Sequence, residues 1–184
     1  MSKSNNSCEG PDRIELTGKF NTYDFGVQTL NMVAQCKDGS YQYLAQDPVR
    51  KIFPASGPSW KTMPSDPQSS GFEREESVMF RAFSQNYFGA IKAWDYFKNK
   101  HNWTGYTNDP SKSIVVMSTK SNGSSGEGSY QLHSFFADQG GFIEILYSET
   151  PEYVTEFDAI GHEFTHAVNI HAANLSLSIL ETKS

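Results

Sequence analysis

Apolar and polar positions alternate in short runs over the first fifty residues of the chain. The runs 23–33 and 41–44 flank Lys37-Asp38-Gly39-Ser40, and Asp-Gly between two such runs is typical of a β-hairpin. Four of the eight prolines then fall within 54–71, where they predict an extended loop because proline is excluded from helix interiors and central strands. We therefore expect strands up to about residue 53, followed by a loop over 54–71.

A spacing of three and four residues between apolar positions begins after the loop and predicts a helix over about 73–100. Acidic residues lie at its start and Lys98 and Lys100 at its end, which is the charge distribution that the helix dipole favours. The apolar positions that carry the spacing are Phe80, Phe83, Tyr87, Ile91, Trp94 and Phe97.

The second half of the chain predicts further strands and one more helix. Apolar runs at 114–117, 131–136 and 142–147 indicate strands within about 113–147, with a Gly/Ser-rich loop after the first of them. A helix is expected over about 155–173, with Glu156 and Asp158 in its first turn. These elements predict an α+β fold with a β-rich first part.

Length and charge exclude some functional classes. A chain of 184 residues is long enough for one domain, or for a domain with part of another. The net charge of -6 and the scattered lysines and arginines predict no nucleic-acid partner. No apolar stretch approaches the roughly 18 residues of a membrane span, so we expect no membrane partner. Residues 1–10 are polar and lack the apolar core of a secretory signal, and residues 1–15 are expected to be flexible or disordered.

The two cysteines, Cys8 and Cys36, leave three alternatives open. They are compatible with one disulfide, with two free thiols, or with no role for either residue. The cysteines alone therefore do not identify the cellular compartment.

The second predicted helix contains His162-Glu163-Phe164-Thr165-His166, an H-E-x-x-H pattern. Two histidines four positions apart project from one helix face and can bind one zinc ion. Glu163, one step round the helix, lies where a general base would take a proton from water. The alternative is a chance match on an ordinary amphipathic helix, although both histidines fall outside its apolar face.

Residues beyond this pattern add a wider similarity. They are Asp158-Ala-Ile-Gly161 before the pattern, Asn86-Tyr-Phe-Gly89 and the run 93–102 on the first helix, and His133-Ser134-Phe-Phe136 on a strand. Together these segments resemble the thermolysin-like (M4) family of zinc metalloendopeptidases. The resemblance covers about 16–184 and is most specific on the two helices.

The resemblance implies a twisted antiparallel β-rich N-terminal lobe of the zincin type, followed by the long helix that bears H-E-x-x-H. It implies a peptide or protein substrate that is hydrolysed by zinc-activated water, with His162 and His166 as zinc ligands and Glu163 as base. His133 and Ser134 would lie on the strand that binds substrate, and Asp158 matches a calcium ligand of the family. Family members are largely secreted, so an extracellular location is expected.

The family's third zinc ligand is a glutamate on a following helix, roughly twenty residues beyond His166. That spacing places it just past Ser184, so we expect an incomplete catalytic half whose C-terminal helical lobe is missing. His171 and Glu181 are poor substitutes for it. A catalytically inactive fragment or binding module with the same fold is the alternative, and a dimer that shares a zinc site through the apolar residues of 175–180 is a third hypothesis.

Overall fold

The computed structural model describes Cys8 and residues 10–54, 74–120, 131–133, 141–147 and 157–173. Most of the expected proline-rich loop lies outside the described residues. The same holds for Ser134, for Glu181 and for the apolar stretch 175–180.

The first sheet is antiparallel and has three strands in the order β1-β2-β3. Its strands are β1 (Arg13–Asn21), β2 (Val27–Lys37) and β3 (Ser40–Leu44). Lys37 pairs with Ser40, which leaves Asp38 and Gly39 as a two-residue turn with φ of 51° and 78°. Positive φ at both positions is the geometry for which Asp-Gly is suited, and it matches the right-handed twist of the paired strands.

The second sheet is mixed and has the strand order β4-β5-β7-β6. Its strands are β4 (Ile52–Pro54), β5 (Ile114–Lys120), β6 (Gln131–His133) and β7 (Gly141–Tyr147). β4 pairs with β5, and β5 with β7, in parallel, whereas β6 lies antiparallel to β7. Hydrophobic patterning within single strands does not specify these parallel pairings, because they depend on the long connections between strands.

Two helices pack on the sheets. The first, α1 (Arg74–His101), connects β4 to β5, and the second, α2 (Phe157–Ala172), follows β7. α1 ends where Asn102 adopts a φ of 51° and the Trp103 N–H donates to the Phe97 carbonyl at 3.1 Å. The left-handed backbone at Asn102 and this hydrogen bond turn the chain out of the helix. The predicted α+β class is confirmed.

The core is centred on α1. Tyr87 of α1 is fully buried against Phe20 of β1, with ring centroids 5.8 Å apart, and its hydroxyl donates to the Asn31 carbonyl of β2 at 2.8 Å. Burial raises the pKa of the Tyr87 phenol, so this donor keeps its proton at any physiological pH. The other side of α1 packs on the second sheet and on α2, through buried residues that include Ile114, Val116, Ile143, Ile160 and Phe164.

The two cysteines form a disulfide, which decides between the alternatives left open by the sequence. Cys8 and Cys36 are joined with their Cα atoms 6.0 Å apart, and no free cysteine remains. The bond attaches the segment before β1 to the far end of β2. No helix in the described part of the chain combines the length and the apolarity that a bilayer crossing requires.

Candidate metal centre

His162 and His166 lie one helical turn apart on the exposed face of α2. Their Nε2 atoms are 2.8 Å from each other, and their rings meet edge to face with centroids 4.4 Å apart. This distance is that of a hydrogen bond between the two rings, in which the tautomers decide which nitrogen donates. The helix therefore directs two ring nitrogens to the same point at the surface.

The donor atoms of the two histidines fit a zinc ion. Tetrahedral zinc holds imidazole nitrogens at about 2.0–2.1 Å, which places two ligand nitrogens about 3.3 Å apart. The observed separation of 2.8 Å is shorter than this by only about 0.5 Å, which small side-chain rotations can supply. The side chain of His162 is 64% exposed, so further ligands and a substrate can approach from solvent.

Glu163 differs from the two histidines in its burial. The residue is 4% exposed, and its Oε1 lies 4.0 Å from the His162 Nε2. One donor atom from each of Glu163, His162 and His166 lies within 4.8 Å of the other two, and the described part of the chain contains no other such group of three. A carboxylate held beside the two nitrogens but shielded from bulk water is well placed to exchange a proton with a molecule bound there.

The helix that carries these side chains is fixed by packing on α1. The ring of Phe164, the middle residue of the pattern, stacks on Phe97 with centroids 5.8 Å apart. Ile160 is fully buried against Gly89, and a Cβ at Gly89 would come within 2.0 Å of the Ile160 Cγ2. Only a residue without a side chain leaves room for Ile160 at this point. Gly89 therefore determines how closely α1 and α2 approach each other.

An open groove runs between the exposed sides of α1 and α2, with a volume of about 350 Å³. Residues that line it include Gly89, Asp158, Gly161 and Thr165. The Thr165 hydroxyl donates to the Gly161 carbonyl at 2.8 Å, so it is satisfied within its own helix. Sequence reasoning missed this groove; its signal is small residues at a four-residue spacing, Gly161 with Thr165 and Gly89 with Ala93.

The remaining candidates from the sequence lie in different places. His133 is the last residue of β6 and pairs with Phe142 of β7, whereas Ser134 lies outside the described residues. Asp158 is exposed in the first turn of α2. His171 is not part of the three-residue cluster; its ring lies 5.1 Å from that of Tyr106, and burial lowers its pKa.

Comparison with known proteins identifies one family. The family described as thermolysin metallopeptidase, catalytic domain, matches residues 15–169, a span that includes all of α1, most of α2 and the three clustered side chains. No curated protein matches the chain at a significant level. Because the match covers most of the sequence, the resemblance seen on the two helices is confirmed. The chain belongs to the thermolysin (M4) family of zinc-dependent metalloendopeptidases.

Proposed function

We propose that this chain supplies the metal-binding and general-base half of a zinc metalloendopeptidase, with His162 and His166 as ligands and Glu163 as base. The observation that carries the proposal is the convergence of the two Nε2 atoms at 2.8 Å beside a buried carboxylate. Metal binding needs neutral imidazole nitrogens directed to one point, and general-base catalysis needs a carboxylate within reach of that point. α2 supplies both.

The role of Glu163 follows from its position. Zinc bound between the histidines would supply a Lewis acid that polarises the scissile carbonyl and makes water more acidic. The Glu163 carboxylate then takes a proton from the attacking water and delivers it to the leaving amine nitrogen. Because the side chain is almost fully buried, solvent does not compete strongly for that proton.

An extended peptide substrate is expected along β6. This strand lies at the end of its sheet, with β7 on one side, and the described residues place no strand on the other. A free strand edge offers backbone N–H and C=O groups that can pair with a peptide in β conformation. We propose that His133 and Ser134 contact the substrate there.

Completion of the metal centre requires a ligand from outside the described residues. Two histidines bind zinc weakly, since catalytic zinc sites have three protein ligands. We propose that a glutamate on a following helix of the C-terminal lobe is the third ligand. Asp158 would bind calcium only with carboxylates from that same lobe, because one exposed carboxylate supplies too few of the oxygen ligands that calcium needs.

The family is typically secreted, and we propose the same location for this protein. A disulfide is the second argument, because such bonds persist in oxidising compartments and are rare in the cytosol of mesophiles.

Calorimetric titration with zinc tests the proposed ligands. The wild-type protein is compared with His162→Ala and His166→Ala, which remove a ligand, and with Glu163→Gln, which keeps the size of the base but removes its charge. We expect each alanine variant to lose at least about tenfold in zinc affinity, and Glu163→Gln to retain binding.

Casein hydrolysis measured on the same samples separates binding from catalysis. Equal zinc binding by wild-type protein and both alanine variants would refute the ligand assignment. Zinc binding with no proteolysis would indicate that the chain holds the half-site and needs the C-terminal lobe. Proteolysis that survives in Glu163→Gln would refute the role of the base.

A further inference from the structure

The disulfide closes a loop that contains the entire first hairpin. Cys8 and Cys36 are 28 positions apart, and between them lie all of β1, the hairpin tip formed by residues 22–26, and most of β2. A covalent link across the base of a hairpin restricts the unfolded chain and so favours the folded hairpin.

Hydrogen bonds outside the strand ladders also join the described residues at the base of this hairpin. The Cys36 N–H donates to the Asp12 carbonyl at 2.8 Å, and the Tyr41 hydroxyl donates to the Pro11 carbonyl at 3.1 Å. The second bond is exposed, and such bonds contribute little net free energy because water replaces them readily. Of the described contacts at this point, the covalent bond is therefore the strongest.

The tip of the same hairpin rests on both helices. Fully buried Gln85 of α1 accepts the N–H of Tyr23 at 3.2 Å and donates to the Asp24 carboxylate. The ring of Phe25 lies 4.6 Å from that of Phe157, the first residue of α2. The hairpin thus links the disulfide at its base to the beginning of the helix that carries the histidines.

Phe25 makes this link although it is 45% exposed. A half-exposed aromatic ring retains its contact only while the backbone that presents it stays in place. The hydrogen bonds of Gln85 to Tyr23 and Asp24 hold that backbone on α1.

We propose that the Cys8–Cys36 bond is a redox-sensitive clamp that fixes the base of the first hairpin, and that it closes when the protein meets an oxidising compartment. Closure joins the two sulfur atoms and removes two protons and two electrons from the thiols. A low-molecular-weight disulfide such as oxidised glutathione takes up both and becomes two thiols. In a reducing compartment the two cysteines remain thiols, and the base of the hairpin is less stable there.

Thermal unfolding with and without a reductant tests the clamp, in metal-free buffer so that the result does not depend on zinc. Tris(carboxyethyl)phosphine is suitable: one phosphine and one water reduce the disulfide to two thiols and yield the phosphine oxide. For a loop of this length, we expect reduction to lower the Tm by an amount on the order of 10 °C. Limited proteolysis should then cut within residues 13–36 earlier than in the oxidised protein.

A variant with both Cys8→Ser and Cys36→Ser is the matched control. It should melt near the temperature of the reduced wild-type protein and show no response to the phosphine. Protein made under reducing conditions should contain two titratable thiols, and treatment with oxidised glutathione should remove both and restore the higher Tm.

Two results would overturn the proposal. One is two free thiols in protein purified under air and treated with oxidised glutathione, since the bond would then not form. The other is a bond that forms but whose reduction changes neither the Tm nor the rate of cleavage in the hairpin. Both results leave the zinc proposal untouched, because neither measurement involves the metal.

Discussion

Two glycines beside the same groove should respond in opposite ways when an alanine methyl group is added. Gly89 on α1 would place its Cβ 2.0 Å from the Ile160 Cγ2, whereas a Cβ at Gly161 on α2 would meet nothing within 4 Å. Carbon atoms pack best at about 3.5–4.0 Å, so Gly89→Ala forces Ile160 or the whole of α2 to move by roughly 1.5 Å. Gly161→Ala forces no movement.

The expected magnitudes follow from packing and helix propensity. Overpacking a core costs about 1–3 kcal/mol, and replacing a helical glycine by alanine recovers about 0.5–1 kcal/mol. Gly89→Ala should therefore destabilise the protein by about 1–2 kcal/mol, while Gly161→Ala should stabilise it by up to about 1 kcal/mol. In a chain of this size each kcal/mol shifts the Tm by about 2–4 °C, so calorimetry resolves the difference.

The Ile160→Ala variant tests whether the cost of Gly89→Ala comes from contact with Ile160. Ile160→Ala removes the atom that the new methyl group would meet, at a cost of about 2–5 kcal/mol of its own. In that background Gly89→Ala should no longer destabilise, and the coupling free energy of the double-mutant cycle should match the overpacking cost. A Gly89→Ala variant that is equally destabilised in both backgrounds, or that shifts the Tm in the same direction as Gly161→Ala, would refute the close contact.

Two further predictions concern single side chains. Tyr87→Phe removes the buried hydrogen bond to the Asn31 carbonyl and should cost about 1 kcal/mol in chemical denaturation, whereas Tyr96→Phe, at a residue that is 54% exposed, should have no measurable effect. Burial lowers the pKa of His171, so below about pH 6.5 the unfolded chain binds a proton that the folded state resists, and stability falls as the pH decreases. His171→Gln should flatten that part of the pH profile relative to wild type, and parallel profiles of the two proteins would contradict the prediction.

Local signals in the sequence predicted those features that depend on neighbouring residues. The Asp38-Gly39 turn follows from the backbone freedom of two adjacent residues, and the alignment of His162 with His166 follows from helix geometry alone. Both features depend only on residues within four positions of each other. They could therefore be predicted without knowledge of contacts between distant parts of the chain.

Features that depend on distant contacts could not be read from the same signals. The parallel pairing of β4, β5 and β7 is decided by how long connections cross the sheet, and the Gly89–Ile160 contact joins residues 71 positions apart in the sequence. The burial of Glu163 also escaped prediction, because its neighbours on other elements determine it. The disulfide was one of three open alternatives until the positions of its two Cα atoms were known.

The exposure of the two histidines has an evolutionary consequence. Neither His162 nor His166 is buried, so replacing either would cost the fold little free energy, unlike replacing the buried Phe164 between them. If selection acted on folding alone, both histidines could be replaced by other residues while the helix remained intact. A lineage under no selection for the two imidazoles would therefore be expected to lose this pair before it loses Phe164.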